Sequence, residues 1–403
     1  MKLSISSAAL KGLSVKAVKT KLVQAGRSLR ASTPALLTVV RGVRVPLALL
    51  FAGVLLQNLA ALSPGLIERL YGRGVYPKIL STLSVLSRPF SFSLGELLVC
   101  LLLVLALSGV AAVLVLRLRS GVGGLRLVVG SAKFIAWLAV VLLWAFLFAF
   151  GLNYQRPPLY DLLGYERRRA SAFELEELGV LMVRGVNQNY MESRADGRQA
   201  PGVDDLIALL QESFKGSRDL GLLPKGAYVA PKPVYFSGLL TRLGISGIYF
   251  PFTAEPNFNA DMPDFQLPFS MAHEMAHQRG VARESEANFV AYLVCVNSRD
   301  PFVRYSGYRN GLGVLSELYR LEPERAKGLI GRLGPGFRED SRRAALFWAK
   351  AAGAAGALSY RVNDLYLRAN RVRSGAEDYS GSTALIIGHH LHGRDRAGQP
   401  PAP

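Results

Sequence analysis

Residues Leu97 to Leu116 form an apolar run without one charged side chain. About 20 such residues are what a helix needs to cross a bilayer, and a core helix of that length normally keeps a polar face. Two further runs meet the same test. Val45 to Ile67 carries Gln57 and Asn58 and ends at Ser63-Pro64, and Phe134 to Asn153 holds Trp137 and Trp144 and ends in Asn153-Tyr154. The chain is therefore expected to hold a transmembrane region over 45–153, with helices at about 45–67, 97–116 and 134–153.

The net charge of +19 raises the question of nucleic acid, and its distribution decides it. Residues 1–133 carry 17 Lys or Arg against Glu68 and Glu96 alone, whereas the rest of the chain has 31 against 27. The basic excess thus flanks the apolar spans, as orientation in a membrane requires, and no nucleic-acid motif accompanies it. The expected partner is a lipid bilayer, and no nucleic-acid partner is expected.

Nine of those basic residues lie in 1–44, and Arg117, Arg119, Arg126 and Lys133 occupy the short connection between the second and third spans. Both segments are expected to face the cytoplasm of a bacterial cell. Three crossings then place everything after residue 153 outside the cytoplasmic membrane. Cys100 sits in an apolar run and Cys295 in a distant helical pattern, so no internal disulfide is expected.

After Pro157-Pro158 the composition becomes that of a soluble domain, expected over 154–380. Helical periodicity covers Phe173 to Tyr190, Val203 to Phe214, Gly307 to Arg332 and Asp340 to Asn370. Tyr228 to Phe236 and Ile245 to Phe252 are rich in β-branched and aromatic residues and read as strands. Residues 381–403, with His389, His390 and His392 among Gly and Pro, read as a disordered tail. The fold class expected is α+β and mostly helical, with the membrane anchor preceding a domain that carries a small sheet.

Chemistry is concentrated in His273-Glu274-Met275-Ala276-His277, an HExxH pattern. On a helix, residues four apart share a face, so both imidazoles can reach one zinc ion while Glu274 points toward the substrate. The chain has five histidines and the other three lie near the C-terminus, so a carboxylate is expected as third ligand. Gly280 is placed to end the helix in a left-handed turn. A second helix from Val281 would then present Glu284, Ala287, Asn288 and Ala291 on one face, the alanines allowing close approach. Glu284 is the expected ligand and Glu286 the alternative, with Asn288 and Glu286 as groups that could orient a histidine from behind. Tyr305, Tyr308 and Tyr249 are candidate hydrogen-bond donors to an oxyanion, and the strand before the motif is a candidate peptide-binding edge.

The run Glu284-Ser285-Glu286-Ala287-Asn288 resembles the ExxA(D/N) element of gluzincin peptidases, in which the first Glu is the third ligand. The six residues between His277 and Glu284 are fewer than in most gluzincins. Arg283 stands where a metzincin has its third histidine. More widely, Ser246 to Asn257, Pro268-Phe269 and the HEMAHQRG stretch resemble a bacterial membrane family described as a domain of unknown function, DUF3810, with an HExxH zinc-metallopeptidase signature. Gly151 to Tyr154, Arg304 to Tyr308 and Val362 to Leu367 are similar to further blocks of it, so the likeness spans most of residues 45–385. It implies a three-helix anchor and a gluzincin-like, zincin-like domain, and names no substrate.

The function expected is a membrane-anchored zinc metallopeptidase that hydrolyses peptide bonds of an envelope peptide or protein with a zinc-activated water and Glu274 as general base. The alternative is a catalytically inactive zinc-binding membrane receptor or scaffold, which would have no need of Glu274. No sequence feature bears on oligomeric state or cleavage specificity.

Overall fold

The computed structural model describes residues 41–119 and 124–396, apart from 167, 218, 219, 222, 225 and 227. Most of the expected cytoplasmic tail, and the last seven residues, lie outside the described residues.

Three helices are long and apolar enough to cross a membrane: α1 (Arg41–Ala60), α3 (Leu94–Arg119) and α4 (Gly124–Ala149, its apolar part Val129–Ala149). Between α1 and α3 lie a turn at Pro64–Ile67, a π-helical stretch Glu68–Val75 and α2 (Tyr76–Ser87). Within α3 only Gly95 is buried, so its apolar side chains are not covered by the rest of the described residues.

The chain divides into two compact units. One holds the described residues up to Leu56 together with Leu103–Trp144, where the indole N–H of Trp144 donates to the carbonyl of Leu49 at 3.2 Å. The other holds Gln57–Leu102 and Ala145 onward. The connection between the first two spans is therefore part of the same compact unit as the C-terminal domain. Its contacts explain why: the Tyr76 hydroxyl donates to the Gln278 carbonyl at 2.8 Å, and the Ser87 hydroxyl to that of Thr253. Gly151–Gln155, expected at a membrane boundary, is a buried 3₁₀ turn in this unit.

The second unit is mostly helical around a small sheet. Besides α2 and a single helical turn at Leu159–Leu162, its helices after residue 145 are α5 (Ala172–Glu192), α6 (Val203–Gly216), α7 (Ser237–Leu243), α8 (Leu267–Gln278), α9 (Glu284–Val296), α10 (Pro301–Gly311), α11 (Val314–Leu321), α12 (Pro323–Gly331), α13 (Pro335–Trp348), α14 (Ala354–Ala369) and α15 (Ser382–Arg396). Local chemistry starts several of them. Ser171 and Glu174 form a reciprocal capping box on α5, and Asp300 caps α10 through the amides of Phe302 and Val303. The pattern expected as one helix over 307–332 is broken at Leu312-Gly313 and again before Pro323, and α13 and α14 are separated by a 3₁₀ turn at Ala349–Ala351.

The sheet has the order β1-β3-β2, with β1 (Lys232–Pro233) parallel and β2 (Gly247–Phe250) antiparallel to β3 (Glu255–Phe258). The two expected strands are thus shorter than their apolar runs, and β3 is an addition. Its residue Glu255 accepts from Lys232 Nζ at 2.5 Å and from the backbone N–H groups of Leu94 and Gly95 at the start of α3. A carboxylate there satisfies two of the orphan amides of a helix N-terminus and suits its dipole.

The core is built chiefly from α5, α8, α9 and α10. Phe265, Phe289 and Tyr292 are fully enclosed, each burial stabilising by roughly 1.5–3 kcal/mol. Disorder expected over 381–403 does not hold for 382–396, which is helical. Leu385, Ile386 and Leu391 join the core, and His389 and His390 contact the hydroxyls of Tyr165 and Tyr292 at 2.8 and 3.2 Å. These histidines serve packing in α15 rather than a free tail.

Candidate metal centre

Helix α8 starts with Pro268 in its first turn and ends as the glycine position predicts. Gly280 takes φ +83°, while the amides of Gly280 and Val281 return to the carbonyls of His277 and Ala276. The turn folds α9 back against α8, and Ala287 and Ala291 are wholly buried at the contact. Acidic Glu284 and Glu286 occupy the first turn of α9, where the helix dipole favours negative charge.

This hairpin brings His273, His277 and Glu284 together with their ligating atoms within 4.8 Å of one another, all three residues buried. The two Nε2 atoms are 2.9 Å apart and lie 3.1 and 3.3 Å from Oε2 of Glu284. Four ligands at 2.0–2.1 Å around a tetrahedral zinc are separated by roughly 3.3 Å, so the spacing fits such an ion closely.

The opposite ring nitrogens bear on which form the two imidazoles take. Nδ1 of His277 is 2.7 Å from the Val281 carbonyl, an acceptor, so that nitrogen carries a proton. Nδ1 of His273 is 2.8 Å from Oδ1 of Asn288, whose amide is oriented by its own donation from Nδ2 to the Tyr379 carbonyl at 3.1 Å. In the neutral rings both Nε2 atoms therefore present lone pairs, to each other and to a carboxylate. Three electron pairs converging in a buried space can be satisfied by a metal cation or, in its absence, by a proton on His277. The donor set and the supporting hydrogen bonds fit zinc, with one position left for water.

Glu274 is buried beside this triangle. Burial pushes its carboxyl above the ordinary value; the neighbouring His273 and His277 pull it down and Glu284 pushes it up again. For Glu284 burial acts upward too, but the adjoining histidines win and hold its carboxyl below the usual range. His277 shows the reciprocal effect: burial opposes its charge, yet Glu284 brings its pKa up to about 9.

Glu286, the alternative ligand, is engaged elsewhere. Its Oε1 accepts from the Leu159 amide at 2.8 Å and from Arg283 at 3.0 Å. It orients neither histidine, a task that falls to Asn288 and the Val281 carbonyl. Tyr305 donates to Asp340 at 2.8 Å and stacks edge-on with Tyr190, and the ring of Tyr308 lies where a Cβ on Gly185 would be. Tyr249 lies closer to the motif: its hydroxyl is 3.4 Å from that of Tyr76, and both pack about Phe150, whose ring is edge-on to His277.

A tyrosine that the sequence does not single out, Tyr379 in the 3₁₀ turn Gly375–Gly381, lies at the triad. Its ring stacks on His273 at 12° with 6.4 Å between centroids. Burial raises its pKa, and the charge of Glu284 raises it further. The same turn supplies Asp378, which caps α9 by accepting from the Ser285 amide. Gly247 lies in the strand and the family-like block read from the sequence, but nothing there marked its contact with the motif: a Cβ on it would lie 2.6 Å from Oε1 of Glu274. Tyr379 stands about a hundred residues from the HExxH helix, beyond the reach of any periodicity.

The chain matches the family described as protein of unknown function DUF3810 over residues 71–387, and it belongs to that family. Comparison with curated proteins gives no match, and comparison with solved structures gives none.

Proposed function

We propose that the protein is a membrane-anchored zinc metallopeptidase with a zincin-like domain on the outer side of a bacterial cytoplasmic membrane. The observation that carries this reading is the meeting of three buried donor atoms, His273 Nε2, His277 Nε2 and Glu284 Oε2, beside a fourth buried group, Glu274, that is not among them. A purely structural metal site has no use for that carboxylate.

His273, His277 and Glu284 would hold the zinc, which when bound supplies Lewis acidity toward a water and a carbonyl. Glu274, its basicity raised by burial, accepts a proton from the attacking water and returns it to the leaving amine. Asn288 and the Val281 carbonyl keep the two imidazoles in one tautomer and orientation. Tyr379, stacked on His273, is the aromatic residue best placed to donate to a developing oxyanion, in preference to Tyr305 or Tyr308. Edge strand β2 passes Glu274 at Gly247 and offers an extended substrate a partner for backbone pairing.

Two observations support this topology. Gln57–Leu102 and the residues from Ala145 onward share one compact unit, as they would if α3 and α4 each crossed the membrane and returned the chain to the same side. The Lys and Arg of 1–44 and 117–133 then favour a cytoplasmic N-terminus.

The test is metal analysis of purified full-length protein together with a comparison of new N-termini in envelope proteins from cells carrying wild type or Glu274→Gln. Stoichiometric zinc in both and cleavage products in wild type alone are expected. Zinc in both with no difference in products would leave the receptor or scaffold reading.

A further inference from the structure

Several large apolar side chains of the second unit are exposed on segments that adjoin the first turn of α3. They are Phe90 and Phe92, in the segment just before α3, and Tyr235, Phe236 and Leu239, around the start of α7. Tyr235 is 88% and Phe236 52% exposed, and Leu239 follows at 56%. Phe90 and Phe92 form an edge-on ring pair, as do Tyr235 and Phe236. Isolated exposed apolar residues are ordinary, but paired aromatics next to an apolar helix are not scattered singles.

Glu96, in the first turn of α3, fixes where this cluster lies. Its two carboxylate oxygens accept from the backbone amides of Tyr235 and Phe236, each at 2.9 Å. Helix α3 has 26 residues and is about 39 Å long, against a hydrocarbon core of about 30 Å. Its charged ends, Glu96 on one side and Arg117 and Arg119 on the other, therefore belong in the headgroup layers. Tyr235 and Phe236, bonded to Glu96, share that depth. It is the depth at which amphipathic aromatic rings are favoured.

We propose that Phe90, Phe92, Tyr235, Phe236 and Leu239 form a lip that inserts into the phospholipid headgroup layer beside α3; this rests on the reading of α3 as a membrane span. The lip holds the domain against the bilayer and so sets the height of the metal centre. The ring of Phe250 packs on Gly95, where a Cβ would lie 2.6 Å from it, and Gly247 of the same strand touches Glu274. Three strand residues cover roughly 10 Å, so Glu274 stands on the order of 10–15 Å from the first turn of α3.

The experiment uses the full chain in phosphatidylethanolamine and phosphatidylglycerol nanodiscs, with Cys100→Ser as background and Cys295 fully buried and unreactive. Single nitroxide labels are placed at Tyr235→Cys and Phe236→Cys, at Leu105→Cys in α3 and at Lys327→Cys in α12. Power saturation then compares access of oxygen and of a water-soluble nickel chelate. Labels at 235 and 236 are expected to prefer oxygen several-fold more than the label at 327 does, and less than the one at 105. Nickel access at both 235 and 236 equal to that at 327, with 105 in lipid, overturns the lip alone. An aqueous signal at 105 as well overturns the membrane span and the lip with it.

Discussion

Gly247 and Glu274 are in contact so close that no side chain fits between them: a Cβ on Gly247 would lie 2.6 Å from Oε1, 2.7 Å from Cγ of Glu274 and 2.8 Å from the Asn257 carbonyl. The glycine is what lets β2 run past Glu274, the proposed general base. Gly247→Ala is expected to displace the carboxylate by up to about 1 Å, which can lower turnover on the order of a hundredfold. Zinc content should be unchanged, because the atoms nearest that position belong to Glu274 and Asn257 and not to a proposed ligand. Peptide hydrolysis and metal content measured on one preparation check this.

Metal removal separates the two glutamates of α9. His277→Ala and Glu284→Ala are expected to lose zinc, whereas Glu286→Ala should keep it and lose stability through the amide of Leu159 and the guanidinium of Arg283. Asn288→Ala should retain the ion with affinity lowered roughly 10- to 100-fold, since it removes the acceptor that holds Nδ1 of His273. Chelator competition reads all four variants. Normal zinc in Glu284→Ala with loss in Glu286→Ala reverses the assignment.

Protons compete for the same space. In the metal-free protein Glu284 brings the His277 pKa up to about 9, so at pH 7 this imidazole is protonated, and binding of zinc should release about one proton. Titration calorimetry in buffers of different ionisation enthalpy measures it. The raised value also means that the pair stabilises the metal-free fold fully below the ordinary histidine pKa of 6.5. That contribution fades as pH rises through about 9.

Glu68 and Arg156 tie the segment between the first two spans to the hairpin. The Glu68 carboxylate accepts from Arg156 Nε at 2.6 Å, and Arg156 donates onward to the Gly280 carbonyl at 3.1 Å. Removing one member of a buried pair leaves the other uncompensated, so Glu68→Ala should cost about 3–5 kcal/mol. Burial works to raise the Glu68 pKa, but Arg156 and Arg73 hold it below the model-peptide value of 4.5. The pair therefore stabilises above that value, and its contribution is lost as pH falls through the lower folded one. Thermal unfolding in detergent of wild type and variant across this range checks the magnitude and the sign.

What could be read in advance was what lies close along the chain. The helical period linked His273 to His277, Gly280 marked the turn, and the small residues of α9 pointed Glu284 inward. Apolar length located the three helices that are long and apolar enough to cross a membrane. Long-range contacts were out of reach: nothing near Tyr379 announces a motif, the strand that holds Gly247 was legible but not its contact with Glu274, and the part played by Tyr76 and Glu68 arises only when their segment packs on the hairpin. The α15 helix was hidden by composition, because its core residues Leu385, Ile386 and Leu391 are diluted by glycine and histidine.

The central claim is that Glu274 does chemistry at a metal it does not bind. Its most direct test is turnover of a quenched fluorescent peptide library by zinc-loaded Glu274→Gln beside zinc-loaded wild type, both as full chains in detergent. The account predicts equal zinc in the two proteins, cleavage by wild type and a loss of roughly a hundredfold or more in the variant. Equal cleavage by both would contradict it.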